Sequence, residues 1–189
     1  MNFNSLLVSI QQSFGTYLAT FIMWSFLMAF LFNLVKRSSL VHTDKTLMWI
    51  SLAIFLSYLM TDPLVSMAFE IKFLESASGF ILWCFLDLAC LFIIMFVTRG
   101  SSIEDYPAKL YVIVGLLINS TLFFFLYIDV DVNGNDERWF LWDLYTVTVN
   151  LMDITMLVAL LTNKDFFKFV ALFKLVRRRL FKVNIECLN

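Results

Sequence analysis

The chain has little of what soluble proteins use to fold and to catalyse. Of its 189 residues only 15% are charged, and it holds 5 Gly, 2 Pro, 3 Cys and a single His. So little charge excludes a soluble globular enzyme and a disordered protein, both of which need far more polar surface. The cysteines exclude a disulfide scaffold: Cys84 and Cys90 share one apolar run, and Cys187 lies in a basic tail. Neither arrangement is a Cys-x-x-Cys metal site. One histidine, His42, leaves no set for haem or His-rich metal ligation. No Gly-rich loop of the Walker or dinucleotide type occurs.

What is abundant is apolar. Hydrophobic residues make up 61% and aromatics 17%, and the mean hydropathy is +0.83. One small core cannot hide that much apolar surface. The composition therefore predicts an all-α, polytopic transmembrane helix bundle.

Runs free of Lys and Arg predict spans at 14–35, 47–69, 79–98, 110–128 and 139–162, followed by a tail at 163–189. Each approaches the roughly 20 residues that carry a helix across about 30 Å of hydrocarbon. A spanning segment must satisfy its own backbone hydrogen bonds, which favours helices. The runs are too long and too poor in β-branched residues for a membrane barrel.

Five spans, rather than four, agree with the basic residues. With the amino terminus outside and the tail inside, twelve of the 14 Lys and Arg fall on the cytoplasmic side. Lys72 and Arg138 are the two on the other side. This is the positive-inside pattern of an inner-membrane protein. Met1 to Ser13 carries no charge, basic n-region or cleavage site, so the first span is expected to act as a reverse signal-anchor. Trp49, Trp83, Trp139 and Trp142 fall near span ends, as an interfacial belt requires; Trp24 falls mid-span. No internal repeat and no matched pair of broken helices points to an inverted-repeat transporter.

Four carboxylates lie within spans: Asp62, Asp87, Asp143 and Asp153. A charged Asp at the bilayer centre costs a few kcal/mol, so each needs a proton, an interface or polar neighbours. In the fifth span Asp143, Thr146, Asn150 and Asp153 fall within about 80° of one another on a helical wheel. This stripe is expected to face the bundle interior or a subunit interface. It serves either as inter-helix hydrogen bonding or, with Asp87, as a cation or proton path. Asp62-Pro63 predicts a bend, the outer end of the second helix, or a gating hinge.

The outer loop Asp129-Val130-Asp131-Val132-Asn133-Gly134 matches the first half of a calcium loop, with Asp129, Asp131 and Asn133 as oxygen ligands. Glu137 could add an oxygen, but Phe140 stands where the bidentate Glu belongs. The choice is between weak extracellular-type calcium binding and a tight Asn-Gly turn. No other cofactor is expected.

The tail predicts a basic amphipathic helix from Lys164 to Val183. Phe166, Phe169, Val170, Phe173, Val176 and Leu180 form its apolar face. Lys164, Lys168, Arg178, Arg179 and Lys182 stand opposite, with Lys174 at the edge and Arg177 on the apolar side. Such a helix lies on anionic lipid or docks a cytoplasmic protein. The arginine cluster would attract nucleic acid by charge, but direct nucleic-acid binding is not expected.

These features point to a non-enzymatic membrane subunit that oligomerises and anchors or regulates a cytoplasmic effector. A small cation or proton channel is the alternative. A lipid-active enzyme ranks last for want of a catalytic constellation. The plan of several Phe- and Leu-rich spans with a basic tail resembles the membrane subunits of bacterial anti-phage defence systems. In length and plan it is similar to the membrane component of the Kiwa system. That resemblance implies an oligomer working with a cytoplasmic DNA-binding partner. It covers the plan alone, and no residue is carried over by a motif.

Overall fold

The computed structural model describes the backbone of residues 3–39, 45–70, 79–135 and 137–175, and the side chains of 17–39, 45–61, 79–135 and 137–175. Five helices account for nearly all of it: α1 Phe3–Ser39, α2 Thr46–Glu70, α3 Phe80–Val97, α4 Pro107–Tyr127 and α5 Phe140–Thr162. No strand occurs among the described residues. A π-helical turn, Ile128–Val132, prolongs α4.

The helices follow the expected spans, and the differences have local causes. α1 runs for 37 residues, because neither proline nor charge interrupts its first turns and a single Gly15 weakens a helix without ending it. α2 is helical for 25 residues through Pro63, so its outer end is not at Asp62-Pro63. The side chains of those two residues lie outside the described ones. α4 opens with Pro107 in its first turn, where the missing N–H would have had no partner. α5 closes on Asn163 at φ 50, a left-handed cap that Asn tolerates.

Four stretches are long and apolar enough to cross a membrane: Tyr17–Ser39, Phe80–Val97, Pro107–Val132 and Phe140–Thr162. In α2 the described apolar stretch, Thr46–Thr61, is shorter.

Each helix packs on its neighbours in sequence, and α5 returns to α1, closing a ring. α2 and α4 also touch. The outside of the ring is apolar: Phe21, Trp24, Phe85, Phe92, Phe96 and Val147 are all more than half exposed. A soluble monomer rarely leaves so much contiguous apolar surface open, and hydrocarbon is the solvent that suits it. Trp24 is thereby explained as an outward-facing mid-span residue.

The two ends differ in charge. At the basic end the start of α2, the loop after α3 and the segment after α5 come together, with Thr46 Oγ1 bonded to Ser101 Oγ and Asn163 Nδ2 donating to Asp105 O at 3.1 Å. The turn between α4 and α5 marks the acidic end. Fully buried Phe26, Ile54, Leu116, Met156 and Leu160 fill the half of the ring toward the basic end. Phe80, Cys84, Phe123 and Leu126 form a second cluster toward the acidic end, packed by Trp83, Trp142 and Tyr145.

α4 is the innermost helix and meets α5 closely at Gly115, where a Cβ would lie 2.5 Å from Met156 Sδ. Met156 is fully buried, but a thioether chain can re-route. Gly115→Ala is therefore expected to destabilise the bundle by about 1–2 kcal/mol. Thermal unfolding in detergent reads this directly. An unchanged midpoint would mean that Met156 moves aside freely.

Candidate functional site

The polar residues that the ring encloses are the ones an all-apolar span has least reason to contain. Asp87 of α3 is 7% exposed, Asp153 of α5 is 4% and Asn119 of α4 is 0%. Asn119 Nδ2 donates to Asp153 Oδ1 at 3.0 Å, and the Tyr58 hydroxyl of α2 donates to the same oxygen. The Tyr58 ring packs on Phe26 of α1 with centroids 4.9 Å apart. One carboxylate thus joins α2, α4 and α5, and α1 packs on the tyrosine that reaches it.

Asp87 stands beside this cluster, within Coulomb range of Asp153. Its Oδ2 is buried with no hydrogen-bond partner, and so is Asn119 Oδ1. One turn before Asp87 lies Cys84 and one turn after it Cys90, both buried. Lys109, the one buried basic side chain among the described residues, is occupied elsewhere: its ammonium donates to Thr98 O at 2.6 Å and to Ser101 O at 3.0 Å. Two buried carboxylates with no Lys or Arg paired to them among the described residues need a positive charge from outside, a proton or a small cation.

Of the residues expected to act together in the fifth span, only Asp153 reaches other helices. Asp143 is exposed in the first turn of α5, where the helix dipole favours an acid. Thr146 Oγ1 donates to Trp142 O at 2.8 Å and Asn150 Nδ2 to Thr146 O at 2.6 Å. These two satisfy themselves on their own helix, so the stripe divides into a self-contained edge and one buried carboxylate. Asp87, the expected second acid, is likewise buried, on α3.

Tyr58 and Asn119 were not singled out from the sequence. Asn119-Ser120 interrupts an otherwise apolar run, and that interruption was the available signal. Trp83 and Trp142 also depart from the belt expected of them. Their indole nitrogens are buried inside the acidic-end cluster without partners. Trp139, by contrast, is about half exposed.

The calcium-loop residues adopt another arrangement. Asp129 and Asp131 lie in the π-helical turn. Asp129 Oδ1 accepts from Asn135 Nδ2 at 3.1 Å and Oδ2 from Trp139 Nε1 at 2.6 Å. Its carboxylate is thus a staple between α4 and α5. Asn133 is right-handed, unlike the first residue of a tight Asn-Gly hairpin turn, and Gly134 has φ 66, a left-handed position that glycine adopts without steric cost. Glu137 donates its amide to Asn135 Oδ1 at 3.3 Å. Among the described residues no group of three or more His, Cys, Asp or Glu could hold a metal ion.

The tail differs from the single helix expected from Lys164. Helix begins only at Phe169, and Lys168 is left-handed at φ 55. The wheel positions of Lys164 and Lys168 therefore do not apply. Asp165 explains the turn: it accepts from the Tyr111 hydroxyl at 2.8 Å and from the Val170 amide at 3.2 Å. Tyr111 in turn accepts from the Phe167 amide at 2.7 Å. Val170 is buried, and the Phe169 ring lies 5.1 Å from Tyr111. Lys174 pairs with Glu104 at 3.1 Å. The first turns of the tail are thus docked on the bundle, leaving Phe166, Phe167 and Phe173 exposed. Arg177, Arg178, Arg179 and Lys182 lie outside the described residues.

Compared with protein-family models, curated proteins and solved structures, the chain gives no match.

Proposed function

We propose that the chain is a multi-pass inner-membrane protein that takes up and passes a proton or small cation at the Asp87–Asp153 pair. α2 completes its five spans, the acidic end faces outward and the basic end faces the cytoplasm. One observation carries this reading. Two carboxylates from different helices are buried inside the bundle, where among the described residues no basic side chain pairs with them and two acceptor oxygens lack a partner. Intramembrane acids placed this way mark ion or proton pathways more often than other buried polar groups do. The segregation of Lys and Arg supports the orientation.

The test is proton flux into sealed vesicles carrying the purified protein and an internal pH dye, driven by a potential. Wild type should exceed protein-free vesicles, and Asp87→Asn should fall back to them. Wild-type flux equal to that of empty vesicles overturns the reading.

A second reading, in which the protein oligomerises and holds a cytoplasmic effector, is favoured by the tail. Its start is clamped to the basic end by Tyr111, Asp165 and the Lys174–Glu104 pair. A fixed platform would present the arginine cluster to a partner, and several copies would add avidity. Deleting 166–189 should then leave an inserted protein that no longer co-purifies with a cytoplasmic partner. Equal recovery with and without the tail would leave lipid anchoring as its role.

A further inference from the structure

Four buried side-chain polar atoms among the described residues have no hydrogen-bond partner: Trp83 Nε1, Asp87 Oδ2, Asn119 Oδ1 and Trp142 Nε1. They are two donors and two acceptors, all on α3, α4 and α5. Their placement is one-sided. Trp83 lies one turn from Asp87 toward the acidic end. On α5 the order from that end is Trp142, Tyr145, Asp153. On α4, Phe123 lies one turn beyond Asn119, its ring 5.4 Å from Trp83 and 5.7 Å from Tyr145. Tyr145 packs in the same aromatic cluster.

The other direction is sealed. Toward the basic end, one turn on from Tyr58, Asn119 and Asp153 and two turns on from Asp87, the interior positions are Ile54, Leu116, Met156 and Ile94, each at most 1% exposed. The buried polar side chains beyond them have partners. Asn33 donates to Ala29 O and Leu160 O, Ser51 to Leu47 O, and Thr98 to Ile94 O.

A buried donor or acceptor left unpaired is costly, and packing alone does not explain why the two indole donors lie toward the acidic end from Asp87 and Asn119 while none lies toward the basic end. Water satisfies donors and acceptors alike and is the usual partner of such groups. We infer that the Asp87–Asp153 pair is reached from the acidic end alone, through a hydrated column between α3, α4 and α5 lined by Trp142, Trp83, Tyr145 and Asn119. The apolar layer of Ile54, Ile94, Leu116 and Met156 closes it toward the basic end. The column admits water and a proton or bare small cation. This rests on the carboxylate pair being an exchanging site, but its claim is sidedness, which is read without any flux.

Cys84 and Cys90 make a built-in ruler. They stand one turn to either side of Asp87, Cys84 in the acidic-end cluster and Cys90 in the other. The probe is silver ion, a small thiol-reactive cation, applied to sealed vesicles of either orientation carrying the Cys187→Ser protein. Sites already blocked are then read as failure to take up a maleimide after denaturation, located by mass spectrometry. Silver from the acidic face should block Cys84 at least about ten times faster than Cys90, since access governs thiol reactivity. Silver from the basic face should block neither. Unblocked Cys84, equal rates, or blocking from the basic face would overturn the column. Sided blocking of Cys84 in a protein that shows no flux would keep the column and reject passage. Flux with Cys84 unblocked would do the reverse.

Discussion

Asp153→Leu is expected to destabilise the bundle by about 2–4 kcal/mol, while Asp153→Asn stays within about 1 kcal/mol of wild type. Leucine is close in size but accepts nothing. It strands the Tyr58 hydroxyl and the Asn119 amide, which both donate to Asp153 Oδ1. Each buried group left unpaired costs about 1–3 kcal/mol. Hydrogen bonds within membranes average only about 0.6 kcal/mol, because the inserted but unpacked chain finds other partners; this holds the sum below its upper limit. Asparagine keeps an oxygen in place for both donors and removes only the ability to carry charge. The two variants thus separate structure from chemistry. Denaturant titration of the detergent-solubilised protein should show the leucine variant unfolding early and the asparagine variant near wild type. Only the asparagine variant should combine a normal midpoint with lost flux. If both variants unfold alike, the cluster around Asp153 is not what joins α2, α4 and α5.

The contrast between Asp153 and Asn150 shows how far the sequence could be read. The positions of the helices were legible, because an apolar run near 20 residues and a Lys-Arg stop depend on composition alone. The depth of Asp87 and Asp153 was legible for the same reason. Rotation of each helix about its axis was not, since spans apolar on every face point in no preferred direction. Asn150 and Asp153 are one turn apart and looked equivalent on the wheel. One closes back on Thr146 of its own helix, and the other crosses to α2 and α4. Only packing distinguishes them. Tyr58 was illegible because tyrosine is common in spans, and its hydroxyl acquires meaning from a carboxylate 95 residues away. In the tail, the wheel assumed an unbroken helix. Asp165 broke that assumption by capturing a tyrosine 54 residues earlier in the chain, which no local pattern announces.

Lys109→Met should cost about 2–4 kcal/mol and free the tail from the bundle. By sequence Lys109 is one more basic residue at the basic end. In the structure its ammonium is buried against Thr98 O and Ser101 O. It satisfies carbonyls at the end of α3, where a cation is also favoured by the helix dipole. Bonds to a charged donor contribute about 1.5–3 kcal/mol each, and methionine keeps the chain length while removing both. The consequence extends beyond the cap, because the loop that Lys109 holds is the platform for everything else at that end. Ser101 bonds Thr46 of α2. Asp105 O accepts from Asn163. Glu104 pairs with Lys174. Loosening the loop should therefore release the segment after α5. Limited trypsin digestion should cut Lys109→Met faster than wild type at Lys164, Lys168 and Lys174. Glu104→Gln is the control, since it removes only an exposed ion pair and should change stability by less than about 1 kcal/mol. If Glu104→Gln frees the tail as fully as Lys109→Met does, the surface pair rather than the buried ammonium organises the basic end.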